Sequence, residues 1–389
     1  MYPRLSDMIN DLLGTSLRLP IQTYGFFVAM AFVAGAIILS IELKRKEKDG
    51  LLKPQKKTIV KGKPASTKDL ILSGILGFLL GFKGVAMILN YSYFVEEPQE
   101  FLLSGEGSFI GGLVLAALSA YSTWRSAEKE KLPKPKAEEI LVRPHELTTT
   151  FIMIAAAAGI AGAKLFDVLE NFSSFLADPI GTIFSFQGLT FYGGLITAAL
   201  VLIWYARKNG IPWKVLADAA APALLLAYAV GRLGCQFSGD GCWGVENLNP
   251  KPEWLAFLPD WAWAYDFPNN VIREGIPIHN CSGQYCRVLE NPVYPTSLYE
   301  SILSLIFFGI VWIVRKKITI SGVLFFIYLM MNGAARFFIE KIRVNPPYNF
   351  LGMELTQAEI ISFMLFVIGA AGTIYLVLNH RKELNNKSS

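Results

Sequence analysis

Nine apolar blocks of roughly membrane-spanning length divide this chain: residues 21–41, 69–90, 109–125, 147–166, 189–206, 215–238, 297–314, 321–340 and 357–378. A bilayer core takes about 20 apolar residues per helix, and it demands that every backbone N–H and C=O be satisfied within the span. The blocks therefore exclude a water-soluble globule and predict an all-α, polytopic membrane bundle of about nine transmembrane helices. The third and fifth are short for a full crossing. Composition agrees, with 53% hydrophobic and 17% charged residues and a mean hydropathy of +0.40. Residues 1–20 hold no apolar core, and the basic cluster follows the first apolar block. The first helix thus reads as a retained signal anchor.

Charge then orients the bundle. Of the 36 Lys and Arg residues, 25 fall in the segments after the first, third, fifth, seventh and ninth blocks and 7 in the opposite set, with Lys83, Lys164, Arg232 and Arg336 inside apolar sequence. The positive-inside rule places the N-terminus outside and the C-terminus in the cytoplasm. The net charge of +5 is this cytoplasmic excess facing anionic lipid, and it calls for no nucleic acid. Segment 239–296 becomes the largest extracytoplasmic stretch and carries Cys242, Cys281 and Cys286. An oxidising side permits a disulfide, and Cys281 with Cys286 can close a small loop; unpaired thiols remain an equal alternative. No paired cysteines with histidines call for a metal. Trp243, Trp254, Trp261, Trp263 and Tyr265 form either an interfacial belt or a packed head, with a lipid-facing mouth as the sharper reading.

An internal duplication is visible between 71–125 and 152–207. Gly81-Phe-Lys83, Asn90 and Pro98 answer Gly162-Ala-Lys164, Asn171 and Pro179 at a constant offset; Ile110-Gly-Gly-Leu113 answers Tyr192-Gly-Gly-Leu195, and Arg125 answers Arg207. Each copy starts and returns inside, so the units are parallel repeats rather than an inverted pair. The stretches 42–68 and 126–146 are rich in Lys, Glu and Pro and lack apolar periodicity, which predicts solvated cytoplasmic linkers. The chain divides into an N-terminal segment with the first helix (1–41), a linker (42–68), the extra helix pair (69–125), a second linker (126–146), a core (147–378) and a cytoplasmic tail (379–389).

Charged residues in apolar sequence mark where chemistry is to be sought. In Gly231-Arg-Leu-Gly-Cys-Gln-Phe-Ser-Gly-Asp-Gly-Cys-Trp-Gly244 a helix ends in a glycine-rich turn, and the guanidinium fork of Arg232 suits a phosphate. A brace between Arg232 and Asp240 is the structural alternative. Arg336 and Glu340 stand at i, i+4 and permit an ion pair, with Arg343 one turn outward. Thr296 or Ser297 is placed to cap the seventh helix, and Glu300 one turn inside it calls for an arginine partner. Lys164 is expected to snorkel or to find Asp167 or Glu170. Tyr192-Gly-Gly194 and Tyr24-Gly25 open two helices from the outer side, where glycine permits close approach of a helix or a lipid.

Gly231-Arg232-x-Gly234, Tyr294-Pro-x-Ser-Leu-Tyr-Glu300, Arg336-x-x-x-Glu340-x-x-Arg343, Gly193-Gly194 and Tyr24-Gly25 together resemble the prolipoprotein diacylglyceryl transferase family. The resemblance covers the first helix and 147–378, and leaves 69–125 as a pair that the common seven-helix form lacks. It implies a multi-pass protein of the bacterial cytoplasmic (inner) membrane. The implied reaction moves a diacylglyceryl group from phosphatidylglycerol to the lipobox cysteine of a prolipoprotein signal peptide, releasing glycerol phosphate without a cofactor. On this resemblance Arg232 and Arg336 hold the phosphate, Glu300 and Glu340 position them, and Tyr192 donates to a phosphate or glycerol oxygen. Tyr24, Gly193, Gly194, Gly234, Asp240, Gly244, Tyr299 and Arg343 are the expected substrate-binding residues.

The chain departs from the family at three places. Tyr192 and Tyr294 stand where the family often has histidine, and Cys235 stands where Asn is expected. The deprotonating base is then Tyr192, Glu300 or Asp240, or the substrate thiolate arrives with little help, or the protein is an inactive relative. A lipid or solute transporter is the competing class, drawn from the repeat and the buried charges; parallel copies count against it.

Overall fold

The computed structural model describes residues 1–96, 101–102, 104–184, 190–281, 283–345, 348–350 and 353–388. Pro98 of the repeat, residue 189 at the expected start of the fifth block, and parts of the connecting segments 91–108 and 167–188 lie outside them. The helices are α1 (Leu5–Leu13), α2 (Thr23–Lys48), α3 (Thr67–Leu89), α4 (Tyr91–Glu96), α5 (Phe109–Lys129), α6 (Thr148–Glu170), α7 (Phe172–Ala177), α8 (Pro179–Phe184), α9 (Phe191–Lys208), α10 (Trp213–Ser238), α11 (Thr296–Val314), α12 (Val323–Glu340) and α13 (Gln357–Ser388). Among the described residues sheet is confined to two-stranded pairs. Among the described residues seven helices are long and apolar enough to cross a membrane: α2, α3, α6 with its leading turn, and α10 to α13. α5 carries Arg125 and, in its last turn, Lys129, and α9 ends on Arg207-Lys208, which dilute their hydropathy.

One compact unit comprises Met1–Pro3, Thr23–Gln55 and Val142–Ser389. Its largest core joins Ile38, Leu39 and Leu43 of α2 to Phe151 of α6 and to Leu216 and Ala219 of α10. A second core sets Leu225 of α10 against Val311 of α11 and Leu324 of α12. Segment 239–296 has its own nucleus, Trp243, Phe267, Leu289 and Val293, with the Trp243 and Phe267 rings 4.9 Å apart. Trp254 and Trp261 are exposed, so the aromatic stretch divides between a packed head and surface rings. Cys281 and Cys286 form a disulfide.

The first expected linker begins as helix. α2 runs on through Lys48, and Glu42 and Lys46 are buried. Partners far along the chain explain this: Arg315 donates to Glu42 at 2.7 Å, and Lys46 pairs with Asp218 at 3.5 Å. Asp218 in turn accepts from the Gly322 and Phe325 N–H groups at 2.7 and 3.0 Å. These are orphan donors at the start of α12, so a carboxylate from α10 caps it. Charges with no apolar period are buried here because they are paired.

The other unit comprises Arg4–Gln22 and Lys56–Leu141. Ser66 caps α3 by accepting from the Asp69 N–H, and Asp69 answers by accepting from Ser66 N–H. The two linkers, read from sequence as solvated stretches without apolar periodicity, supply β1 (Gln55–Lys61) and β2 (Lys136–Val142), which pair as a small sheet. Exposed Lys56–Glu139 and Lys61–Glu138 bridges accompany the pairing. Each strand joins a charged half to a run of only three strand-favouring residues, Thr58-Ile-Val60 and Ile140-Leu-Val142, too short to show a period against the charged flanks.

Candidate active site

The site grows from three helices of the first unit. α10 contributes Tyr228 and Arg232, one turn apart. Arg232 Nε donates to the Tyr228 hydroxyl at 3.0 Å and pairs with Glu300 Oε2, while the Tyr228 hydroxyl donates to the same oxygen at 2.6 Å. α11 contributes Glu300. Its other oxygen accepts from Arg336 at 2.8 Å and lies 3.5 Å from Arg343. α12 contributes Arg336 and Glu340, whose i, i+4 pair closes at 2.9 Å, and Glu340 also accepts from Asn345 and from the Thr356 hydroxyl.

A buried carboxylate is tolerated only when its lone pairs are taken. Glu300, 5% exposed, meets that demand with three arginines and a phenol, and so is the hub that orients Arg232, Arg336 and Arg343. Three formal positive charges face two carboxylates, leaving one positive charge over. Arg343 Nε is buried and meets no acceptor among the described residues. A preorganised, net-positive cluster with an orphan donor is suited to a phosphodiester monoanion.

Tyr192, near the start of α9, lies in the field of Arg336 and Glu340. The expected glycines have packing roles. A Cβ on Gly193 would come within 2.4 Å of Phe166, and one on Gly194 within 2.7 Å of the Gly159 carbonyl. Gly234 abuts Phe27 and the Tyr24 carbonyl, and Gly244 abuts the Ile342 carbonyl in a bridge between Gly244 and Arg343. Those two glycines hold α2 and Arg343 close to the cluster. Tyr24 is half exposed on α2.

One expectation is corrected, and three other residues are found with specific partners. Thr296 and Ser297 do not cap α11, whose N-cap is Pro295; their hydroxyls donate to the Cys242 carbonyl at 2.7 and 3.1 Å. Asp240 accepts from the Cys242 N–H at 3.1 Å, so its carboxylate shapes the turn. Tyr299 points the other way from its neighbour Glu300, and its hydroxyl donates to the Ala262 and Trp263 carbonyls. Lys164 finds Asp167 at 2.8 Å.

Sequence reasoning missed Tyr228, although its i, i+4 spacing to Arg232 was a usable signal. It also passed over the sulfur pair. Arg232 donates to Cys235 Sγ at 3.7 Å, and the donor atoms of Cys235, Asp240 and Cys242 lie within 4.8 Å of one another. This is the one such group among the described residues. A guanidinium N–H directed at the sulfur opposes a cation there, and the group behaves as a hydrogen-bonded thiol pair. The Cys242 thiol, outside the helix, is drawn down to about 7 by the hydrogen bond from Cys235, with Arg232 and Arg343 assisting against burial and Asp240.

The family model for prolipoprotein diacylglyceryl transferase matches residues 134–375, more than half the chain. Similar proteins include the phosphatidylglycerol–prolipoprotein diacylglyceryl transferase of Streptococcus mutans, 30% identical over 280 residues, covering 70% of this chain and 89% of that protein. That of Shouchella clausii is 29% identical over 233 residues, covering 60% and 76%. That of Enterococcus faecalis is 27% identical over 290 residues, covering 74% and 91%. The matched span holds α6 and α9 to α12, and with them every member of the arginine cluster. The chain is a multi-pass membrane protein that belongs to the prolipoprotein diacylglyceryl transferase family.

Proposed function

We propose that the protein transfers the diacylglyceryl group of phosphatidylglycerol to a prolipoprotein cysteine, the first step of lipoprotein maturation. The convergence of Arg232, Arg336 and Arg343 on the buried Glu300 carries this reading. In the reaction the acceptor sulfur attacks the glyceryl carbon bound to the phosphate oxygen. The C–O bond breaks, its electron pair goes to the phosphate, and a thioether and glycerol phosphate result. Charge grows on the leaving phosphate, and the guanidinium groups are already aimed to receive it. Tyr192 donates a hydrogen bond to the phosphate or a glycerol oxygen, and Tyr24 lines the approach.

We place the protein in the bacterial inner membrane with nine helices crossing, α5 and α9 included, the N-terminus outside and the C-terminus in the cytoplasm. The 25-to-7 division of basic residues supports that orientation. The transferase core is 147–378 with its outer segment 239–296, and 69–125 is an added pair without chemistry. The test is replacement: the chain is expressed in cells depleted of their own transferase, and lipidated lipoprotein is measured. Restored lipidation supports the reading; a well-inserted protein that restores none would mark an inactive relative. For topology, an outside thiol reagent should reach a cysteine probe at 260 and miss one at 55.

A further inference from the structure

The cluster leaves one chemical need unmet. A thiol acceptor must lose its proton to become a good nucleophile, and both carboxylates of the site are occupied: Glu300 by three arginines and Tyr228, Glu340 by Arg336, Asn345 and Thr356. Asp240 is engaged by the backbone of its own turn. The three histidines, His145, His279 and His380, fall in none of the site's segments.

Cys242 is held as a reactive group is held. α10 ends at Ser238 and turns through Gly239, whose φ of 66° lies in the left-handed region that glycine adopts freely. The Cys242 N–H is fixed by Asp240, and its carbonyl by the two hydroxyls that open α11, immediately before Glu300. Its sulfur faces the Cys235 thiol and, through it, Arg232. The groups facing it from all sides are Cys235 and Arg232 of α10, Asp240 of the turn, Arg343 beyond α12 and, across the sulfur pair, Tyr24 of α2. Cys235 is buried whereas Cys242 is half-buried, so Cys242 is the sulfur open to an incoming group.

Resting on the transferase reading, we propose that Cys242 is the general base of the reaction, taking the proton of the acceptor thiol while Cys235 and Arg232 stabilise its thiolate. The acceptor S–H proton passes to Cys242 Sγ as the new S–C bond forms and the C–O bond to phosphate breaks. The proton then leaves to solvent and the thiolate is restored. An ordinary cysteine titrates near 8.5. A base at about 7 therefore accepts its proton against a gradient of about thirtyfold, which neighbouring guanidinium charge narrows. At neutral pH such a base is half ready, close to the best compromise for proton transfer.

The test uses the purified full chain in phosphatidylglycerol micelles with a lipobox peptide, following thioether formation between pH 5.5 and 9. The wild-type rate should climb as pH rises through about 7 and level off above it. Cys242→Ala should lose about a hundredfold at pH 7, and its remaining rate should climb only near the ionisation of the peptide thiol. Cys242→Asp should recover most of that loss without the limb near 7. Alkylation of wild-type Cys242 by iodoacetamide, mapped by mass, should abolish transfer and be slowed by phosphatidylglycerol. This arm needs no variant to fold. Undiminished transfer by the alkylated protein, a Cys242→Ala profile matching wild type, or a Cys235–Cys242 disulfide in fully active protein would each overturn the proposal. A wild-type protein that forms no thioether would instead overturn the transferase reading itself.

Discussion

The helix pair α3/α5 and the pair α6/α9 follow one backbone plan, yet only the second belongs to the unit that holds the arginines. α3 and α6 each run 23 residues, each begins on threonine, and they end on Asn90 and Asn171 with φ/ψ of −113/44 and −112/43. A six-residue helix follows in both copies. Glycines bring the helices together in both. A Cβ on Gly81 would meet the Gly111 carbonyl at 2.2 Å, and one on Gly162 would meet Thr197 at 2.4 Å. The matched lysines are quieted differently. Lys83 donates to the carbonyls of Phe101, Ser104 and Glu106 at 2.8, 2.6 and 2.8 Å, whereas Lys164 pairs with Asp167. At the start of the returning helix Ile110 is exposed, while its counterpart Tyr192 lies in the field of Arg336 and Glu340. The backbone and its glycine contacts are thus a reusable scaffold, and the chemistry enters through one phenol and the neighbours it meets.

The strongest challenge to this contrast is Arg232→Lys. It keeps a positive charge but loses the fork that serves Tyr228, Cys235 and Glu300 together, so transfer should fall by at least about a hundredfold. Membrane insertion should be normal. Near-normal lipidation by Arg232→Ala would remove the phosphate role from the unit that holds the arginines.

Tyr192→Phe probes the point at which the copies diverge. The expected fall is about ten- to a hundredfold, less than loss of a base, and Tyr192→His should retain or raise the rate. The reciprocal change Ile110→Tyr should alter nothing. A rate gain from it in peptide lipidation would show that the first copy is a second centre.

Smaller and physical rather than chemical effects are expected at the glycines. Gly81→Ala and Gly162→Ala each force a Cβ into backbone or a β-branched neighbour, at about 1–3 kcal/mol of stability. Thermal unfolding in detergent should fall for both, but only Gly162→Ala should slow transfer. Equal slowing by Gly81→Ala would mean that the two pairs are functionally coupled. Least of all, Lys83→Met should leave transfer largely intact, since the lysine serves acceptors of its own unit, at Phe101, Ser104 and Glu106. Its signature would be a stability loss of about 1–3 kcal/mol from acceptors left without a donor; a stably folded but inactive Lys83→Met protein would contradict the contrast outright.

Local spacing was what the sequence could convey. The Arg336–Glu340 pair, the Lys164–Asp167 pair and the short Cys281–Cys286 loop each join residues a few positions apart, where helix or turn geometry alone sets the distance, and the duplication is a likeness between two stretches of sequence. The family resemblance was likewise legible, because its residues are grouped in short runs. Thr296 and Ser297 misled for the same reason: a hydroxyl at a helix start reads as a cap, and nothing nearby in sequence shows that a carbonyl 54 residues earlier takes both.

The sequence by itself determined that this chain is a membrane bundle with a repeated helix pair and a small set of charges that must be answered inside it, since apolar block length and intramembrane charge are one-dimensional properties. Only the tertiary structure decided who answers them. That Glu300 gathers three arginines and Tyr228, and that Arg315 and Lys46 are matched by Glu42 and Asp218, are contacts between distant helices. Their partners are chosen by which faces the packing brings together, and low dielectric then makes every such charge find one.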